Sequence, residues 1–210
     1  MDFFHFTQVL SIADKSGIRY PLTPTPWLQD YELVRGPRDI LIKERQTFST
    51  TWELARSLWM AVEKPRTQIA VLCANANAIS GPYHQLLDLI KSAPQIPCEV
   101  RTKSVCFHNA SDIRFLAYPG AVKTGKSRLI HRLHIPEAAF FEAESELFVH
   151  AQFECVPSSG EILLESSLPE NRKFRPGFFA EAFRAAVVDM SSEWNAHVFG
   201  GPVPKLRAPL

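Results

Sequence analysis

The stretch Arg38-Asp39-Ile40-Leu41-Ile42-Lys43-Glu44-Arg45-Gln46-Thr47-Phe48-Ser49-Thr50-Thr51 decides how the chain is read. Arg38 to Glu44 is a short β-branched run and reads as a strand. Past the polar turn, from about Thr50 to Glu63, Trp52, Ala55, Trp59 and Val62 recur at helical spacing and give one apolar face. A strand, a tight turn and a helix together aim backbone N–H groups and a helix N-terminus at phosphate oxygens. Such a loop also needs a cation for the phosphate charge and a hydroxyl for Mg2+. Lys43 and Arg45 are the cations of this stretch, which is also rich in hydroxyl side chains.

Outward from there the pattern alternates. Thr67 to Ala74 is a continuous apolar run between Pro65 and Asn75, as suits a strand buried on both faces. Ala78 to Ser92 carries Leu86, Leu87, Leu89 and Ile90 on a helix stopped by Pro94 and Pro97. Further strands are predicted at Ser104–His108, Asp112–Tyr118, Arg128–Ile135 and Glu161–Ser167, with a last one at Trp194–Phe199. Helices are predicted near Glu142–Phe153 and Phe178–Asp189. The alternation favours an α/β fold with a largely parallel sheet. Residues 1–37, punctuated by Pro21, Pro24, Pro26 and Pro37, read as an irregular lead-in that wraps a core. Residues 38–199 form the main domain, and 200–210 an exposed tail.

The chain has 210 residues, enough for one domain with a real core. With 46% hydrophobic residues and a net charge of +1, it is neither globally disordered nor a constitutive nucleic-acid coat protein. Cys73, Cys98, Cys106 and Cys155 form no CxxC pair and have no clustered His partner, so neither a disulfide framework nor a zinc knuckle is expected. No apolar run approaches the roughly 20 residues of a membrane span. The first residues, MDFFHFTQVL, lack a basic flank and a small-residue cleavage site, which points to a cytoplasmic protein.

Six pieces in order carry a resemblance: PLTPTPWLQ, RDILIKERQTFST, TQIAVLCANANA, RLIHRLHIPEAAFF, EILLESSL and SEWNAHVF. From about Asp14 to Phe199 the chain resembles the ATPase domain of the large terminase subunit, the DNA-packaging motor of tailed phages and prophages. The resemblance implies a P-loop NTPase-like fold, with a largely parallel central sheet flanked by helices. It also implies ATP and Mg2+ as cofactors, and double-stranded DNA, a portal protein and a small terminase subunit as partners. A homo-oligomeric ring in the cytoplasm of a bacterial host is expected, with no membrane association. The nuclease domain that follows in the family is not expected in these residues.

By the same resemblance, Arg45 to Thr51 stands where the family reads R-Q-x-G-K-S/T (Walker A), with Phe48 at the glycine and Ser49 at the lysine. Arg45 would contact phosphate. Lys43, Gln46, Thr47, Phe48, Ser49, Thr50 and Thr51 would surround the nucleotide, with Thr50 as the Mg2+ ligand. A phenylalanine at that glycine obstructs close backbone approach and resists positive φ. Arg132 to Phe141 resembles the Walker B strand, with Pro136 where an aspartate is expected and Glu137 kept to orient the attacking water. Ser166 and Ser167 match the coupling motif, and Gln29 the adenine-reading glutamine. The altered loop and missing aspartate leave an alternative: a degenerate, non-hydrolysing remnant acting as a protein- or DNA-binding scaffold.

Gly120 to Ser127 satisfies G-x4-G-K-S to the letter. It is followed by a run that reads as a strand, closed by Pro136, so a connecting loop is expected. A basic loop of Lys123, Lys126 and Arg128 touching DNA phosphates is the alternative. His131 and His134, three apart on a strand, should point to opposite faces and bind no metal. The spacing of Asp112, Glu137 and Glu165 supports no carboxylate cluster. Arg172, Lys173 and Arg175 read as a solvated basic turn, or otherwise as a DNA contact or trans-acting arginine.

Overall fold

Strand β4 (Gln68–Cys73) shows why the sheet is buried on both faces: Ile69, Val71 and Cys73 enter one hydrophobic cluster, Ala70 and Leu72 another. The computed structural model describes residues 1–14, 16–45, 47–118, 129–167, 174, 177–189 and 191–199. In chain order the elements before β4 are α1 (Phe3–Thr7), β1 (Ser11–Ala13), β2 (Arg19–Pro21), α2 (Pro26–Val34), β3 (Arg38–Lys43) and α3 (Ser49–Glu63). After it come α4 (Ser80–Ser92), β5 (Cys98–Arg101), β6 (Ser104–Phe107), β7 (Asp112–Ala117) and β8 (Arg132–Ile135). The last four are α5 (Glu146–Phe153), β9 (Glu161–Ser167), α6 (Phe178–Val188) and β10 (Asn195–Val198).

Eight strands form one sheet in the order β10-β3-β9-β8-β4-β7-β6-β5. Every pairing from β10 to β7 is parallel, and only the β7–β6 and β6–β5 pairings at the far edge are antiparallel. Trp52, Leu54 and Leu58 of α3 and Leu86, Leu89 and Ile90 of α4 pack into the first cluster. Phe148 and Val149 of α5 and Phe178, Phe179 and Phe183 of α6 pack into the second. Helices thus cover both faces, as parallel strands require. The predicted strand-loop-helix is present, with the helix beginning one residue earlier, at Ser49. No helix among the described residues is long and apolar enough to cross a membrane.

The N-terminal region differs from the irregular lead-in expected of it. It holds α1, the antiparallel pair β1/β2 and α2. The prolines punctuate it without unfolding it: Pro26 opens α2, where its missing N–H is one the helix start leaves unpaired anyway. Phe3 packs against Trp52 with ring centroids 4.9 Å apart, and Tyr31 donates a 3.0 Å hydrogen bond to Asp39 of β3. Strand β5 is an addition to the predicted strands; three of its four residues are exposed at the sheet edge, so it carries no apolar run to read. Strand β8 is described from Arg132, not from Arg128. Gln46, residues 120–128, Arg172, Lys173, Arg175 and the 200–210 tail lie outside the described residues.

The N-terminal end of the sheet is tied by a buried ion network. Arg132, at the start of β8, donates to Glu53 of α3, to Glu161 at the start of β9, and to Ser57 Oγ at 3.1 Å. Glu32 of α2 accepts from Arg35 at 2.9 Å, Arg56 at 2.7 Å and Trp52 Nε1 at 2.8 Å. Arg132 and Glu53 have no solvent exposure. Replacing one partner of such a pair leaves an uncompensated buried charge. Arg132→Ala should therefore lower stability by about 3–5 kcal/mol, read as a shifted midpoint in urea unfolding.

Candidate functional site

Parallel strands that end together bring their last residues into one row, and here that row is polar. Lys43 ends β3 and pairs in register with Ser167, the last residue of β9. On the other side of β9, Ile135 of β8 pairs with Leu164. Pro136 and Glu137 leave β8 directly above that point.

Beneath the row lies Glu165, which has no solvent exposure although it follows the apolar run Ile162-Leu163-Leu164. Its Oε1 accepts from Ser49 Oγ and, at 2.8 Å, from Thr50 Oγ1, the first two residues of α3. Its Oε2 accepts from His134 Nε2 at 2.9 Å. Lys43 Nζ stands 3.7 Å from Oε1. Burial pushes this carboxyl up, but the His134 hydrogen bond and charge, Lys43 and Ser49 outweigh it and hold it down at about 2.

Lys43 is the buried cation of the site. Its Nζ donates to Glu137 Oε1 at 3.1 Å and to Ser167 Oγ at 3.0 Å. Ser167 in turn donates to Glu137 through its hydroxyl at 2.8 Å and its backbone N–H at 3.1 Å. Glu137 takes a left-handed backbone, φ 54°, and keeps its side chain 44% exposed. Lys43, Arg45, Glu137, Phe140 and Ser167 line an open cavity of about 370 Å3 above the strand ends.

Phe48, at the glycine position, departs from the expectation that it would resist positive φ. It adopts φ 62° and ψ 6°, with the residue 57% exposed. Its neighbours impose the conformation: Trp52 N–H donates to Phe48 O at 2.9 Å, and the Ser49 and Thr50 hydroxyls anchor the helix start on Glu165. The loop keeps the backbone turn that glycine would favour and carries the strain of a side chain in it.

The remaining predicted residues are placed as follows. Thr47 Oγ1 donates to Glu44 O at 3.1 Å within the loop, and Thr51 is buried on α3. Gln29 lies exposed on α2 and is not among the cavity-lining residues. Ser166 accepts from Ala139 N–H at 3.3 Å, whereas Ser167 lines the cavity, because successive strand residues face opposite sides. His131 Nδ1 accepts from Gln68 N–H at 3.0 Å, away from His134.

Glu137 and Glu165 both approach Lys43, without Asp112. Their distance along the chain hides this, because they sit at the ends of neighbouring strands. Asp112 stands apart, ion-paired with Arg114 at the start of β7. Sequence reasoning missed the part played by Glu165 and His134. The signal for it is a glutamate closing an apolar run, since an acidic residue in a buried strand needs partners.

No protein-family model matches the sequence, and no curated protein matches it. Solved structures do. The large terminase of bacteriophage HK97 is similar with a TM-score of 0.76 and 15% identity, over 95% of this chain and 43% of that one. The large terminase ATPase domain of Thermus phage P74-26 is similar at 0.58 and 13% identity, over 83% and 85% of the two chains. The large terminase of a further, thermophilic bacteriophage, in complex with ADP, is similar at 0.58 and 10% identity, over 78% and 40%. This chain thus spans less than half the length of the HK97 protein and of the ADP-bound one. Its mixed α/β architecture, with Lys43, Glu137 and Ser167 gathered at the ends of parallel strands, has the P-loop-like fold of phage large-terminase ATPase domains.

Proposed function

We propose that the chain is a terminase-like ATPase domain that binds Mg-ATP over the β3–α3 loop and couples its hydrolysis to packaging double-stranded DNA into procapsids. The observation that carries this reading is the cavity in which Lys43, Arg45, Glu137 and Ser167 meet beside the start of α3. Two cations suit the polyphosphate, and the N–H groups opening α3 add the helix-terminus contribution. A bound polyphosphate would draw Lys43 away from Glu137, freeing that carboxylate to orient water for in-line attack on the γ-phosphorus. Ser167, bonded to both Lys43 and Glu137, would sense that exchange and relay it. The Thr50 hydroxyl beside a buried carboxylate is an all-oxygen donor set of the kind Mg2+ takes together with nucleotide phosphates. When bound, Mg2+ would neutralise phosphate charge there.

Gln29, Gln46, Thr47 and Thr51 complete the proposed nucleotide surroundings, with Gln29 reading adenine and Ser166 coupling beside Ser167. A ring of subunits in the bacterial host, docked on a portal with a small terminase subunit, is proposed from the fold. The thermophilic phage terminase complexed with ADP and with ATP-gamma-S supports nucleotide as the ligand. A second reading, a non-hydrolysing scaffold, is favoured by one observation: Ser49, at the loop-lysine position, has its hydroxyl engaged by Glu165.

Mg-ATP hydrolysis with and without duplex DNA separates the two. The ATPase reading expects turnover that Glu137→Gln lowers about 100-fold or more. A folded wild-type chain with no turnover above that variant selects the scaffold. Phe48→Gly should relieve the left-handed strain, less the glycine's own entropy, and stabilise by about 0.5–1 kcal/mol. Thermal unfolding reads this as a Tm higher by about 1–4 °C.

A further inference from the structure

Strand β8 lacks an acid where it leaves the sheet. The residue after Ile135 is Pro136, which offers no side-chain oxygen. The parallel register ends with Ile135 paired to Leu164, and Pro136 and Glu165 are the next residues of the two chain segments. Side chains at paired positions of neighbouring strands share a face. That face is the one α3 covers, since Ser49 and Thr50 both reach Glu165 from it.

We infer that Glu165 supplies, from β9, the metal-side carboxylate that β8 lacks at Pro136, holding the Thr50 hydroxyl toward the Mg2+ of a bound Mg-nucleotide. The inference rests on the nucleotide reading above and deepens it. Strand β9 lies directly beside β3, whereas β8 lies beyond it, so a carboxylate on β9 starts about 4.8 Å nearer the loop. Glu165 Oε1 meets Thr50 Oγ1 at 2.8 Å and His134 bonds the other oxygen at 2.9 Å, so both carboxylate oxygens are engaged.

An ion pair with Lys43 does not account for this placement. Lys43 is 3.7 Å from Glu165 and has closer partners in Glu137 at 3.1 Å and Ser167 at 3.0 Å. The shorter contacts of Glu165 are all to the helix start and to His134. Glu165 is thus a positioning residue acting through Thr50.

Binding of Mn2+ to the ADP-loaded chain, followed by electron paramagnetic resonance, tests the inference without relying on turnover. Glu165→Gln should weaken Mn2+ binding about 10–100-fold more than it weakens metal-free ADP binding. Adding Pro136→Asp to Glu165→Gln returns an acid to the strand beside it and should recover Mn2+ affinity. Circular dichroism monitors folding. If Glu165→Gln does not fold, Glu165→Asp, which keeps the charge but retracts it by one methylene, should show a smaller loss that Pro136→Asp offsets. Mn2+ affinity that ignores residue 165, in a chain that binds ADP, overturns the inference alone. A folded wild-type chain that binds no ADP with or without Mn2+ overturns the nucleotide reading and this inference with it.

Discussion

A buried carboxylate must be surrounded by donors, and the way Glu165 meets that demand organises the upper half of this protein. It collects the first two hydroxyls of α3 and the imidazole of His134, with Lys43 standing next to it. Three neighbouring strands and the loop helix are thereby fixed relative to one another at a single anion. Phe48 holds a left-handed turn because the residues after it are already anchored there. The cavity keeps its two cations and one half-exposed carboxylate because Lys43 is shared between Glu137, Ser167 and Glu165.

The opposite end of the sheet follows a different logic. Arg132, Glu53, Glu161, Arg35, Glu32 and Arg56 are ion-paired in a network of balanced charge that joins α2, α3, β8 and β9, in which, among the described residues, Glu53 Oε1 accepts no hydrogen bond and Arg56 Nε donates none. Strand β8 therefore begins in a fully buried ion pair and ends at an open acid, Glu137. The first clamps the scaffold, and the second is left open to solvent. A parallel sheet makes this division natural, since all its strands end on the same side.

Much of the architecture is legible in residue patterning. The strand from Arg38, the helix carrying Trp52 and Trp59, the apolar run of β4 and the run at Glu161–Ser167 all appear where periodicity places them. The N-terminal segment is harder to read because prolines suggest breaks, whereas Pro26 starts a helix. Strand β5 is invisible in the sequence because its stability comes from pairing with β6, not from burial. At the site, Lys43, Arg45 and Glu137 can be named from the motif order. Their meeting with Glu165 cannot, since it depends on β9 lying between β3 and β8. No local pattern records which strand lies beside which.

The measurement that bears most directly on this account is a crystal structure of the chain with ATP-gamma-S and Mn2+, with the metal located by its anomalous scattering. The account predicts phosphates above residues 45–50 and a metal peak beside the Thr50 hydroxyl, with the Glu165 carboxylate on its protein side. A nucleotide seated elsewhere, on Gly120 to Ser127 for instance, or a metal bound without Thr50, would contradict it.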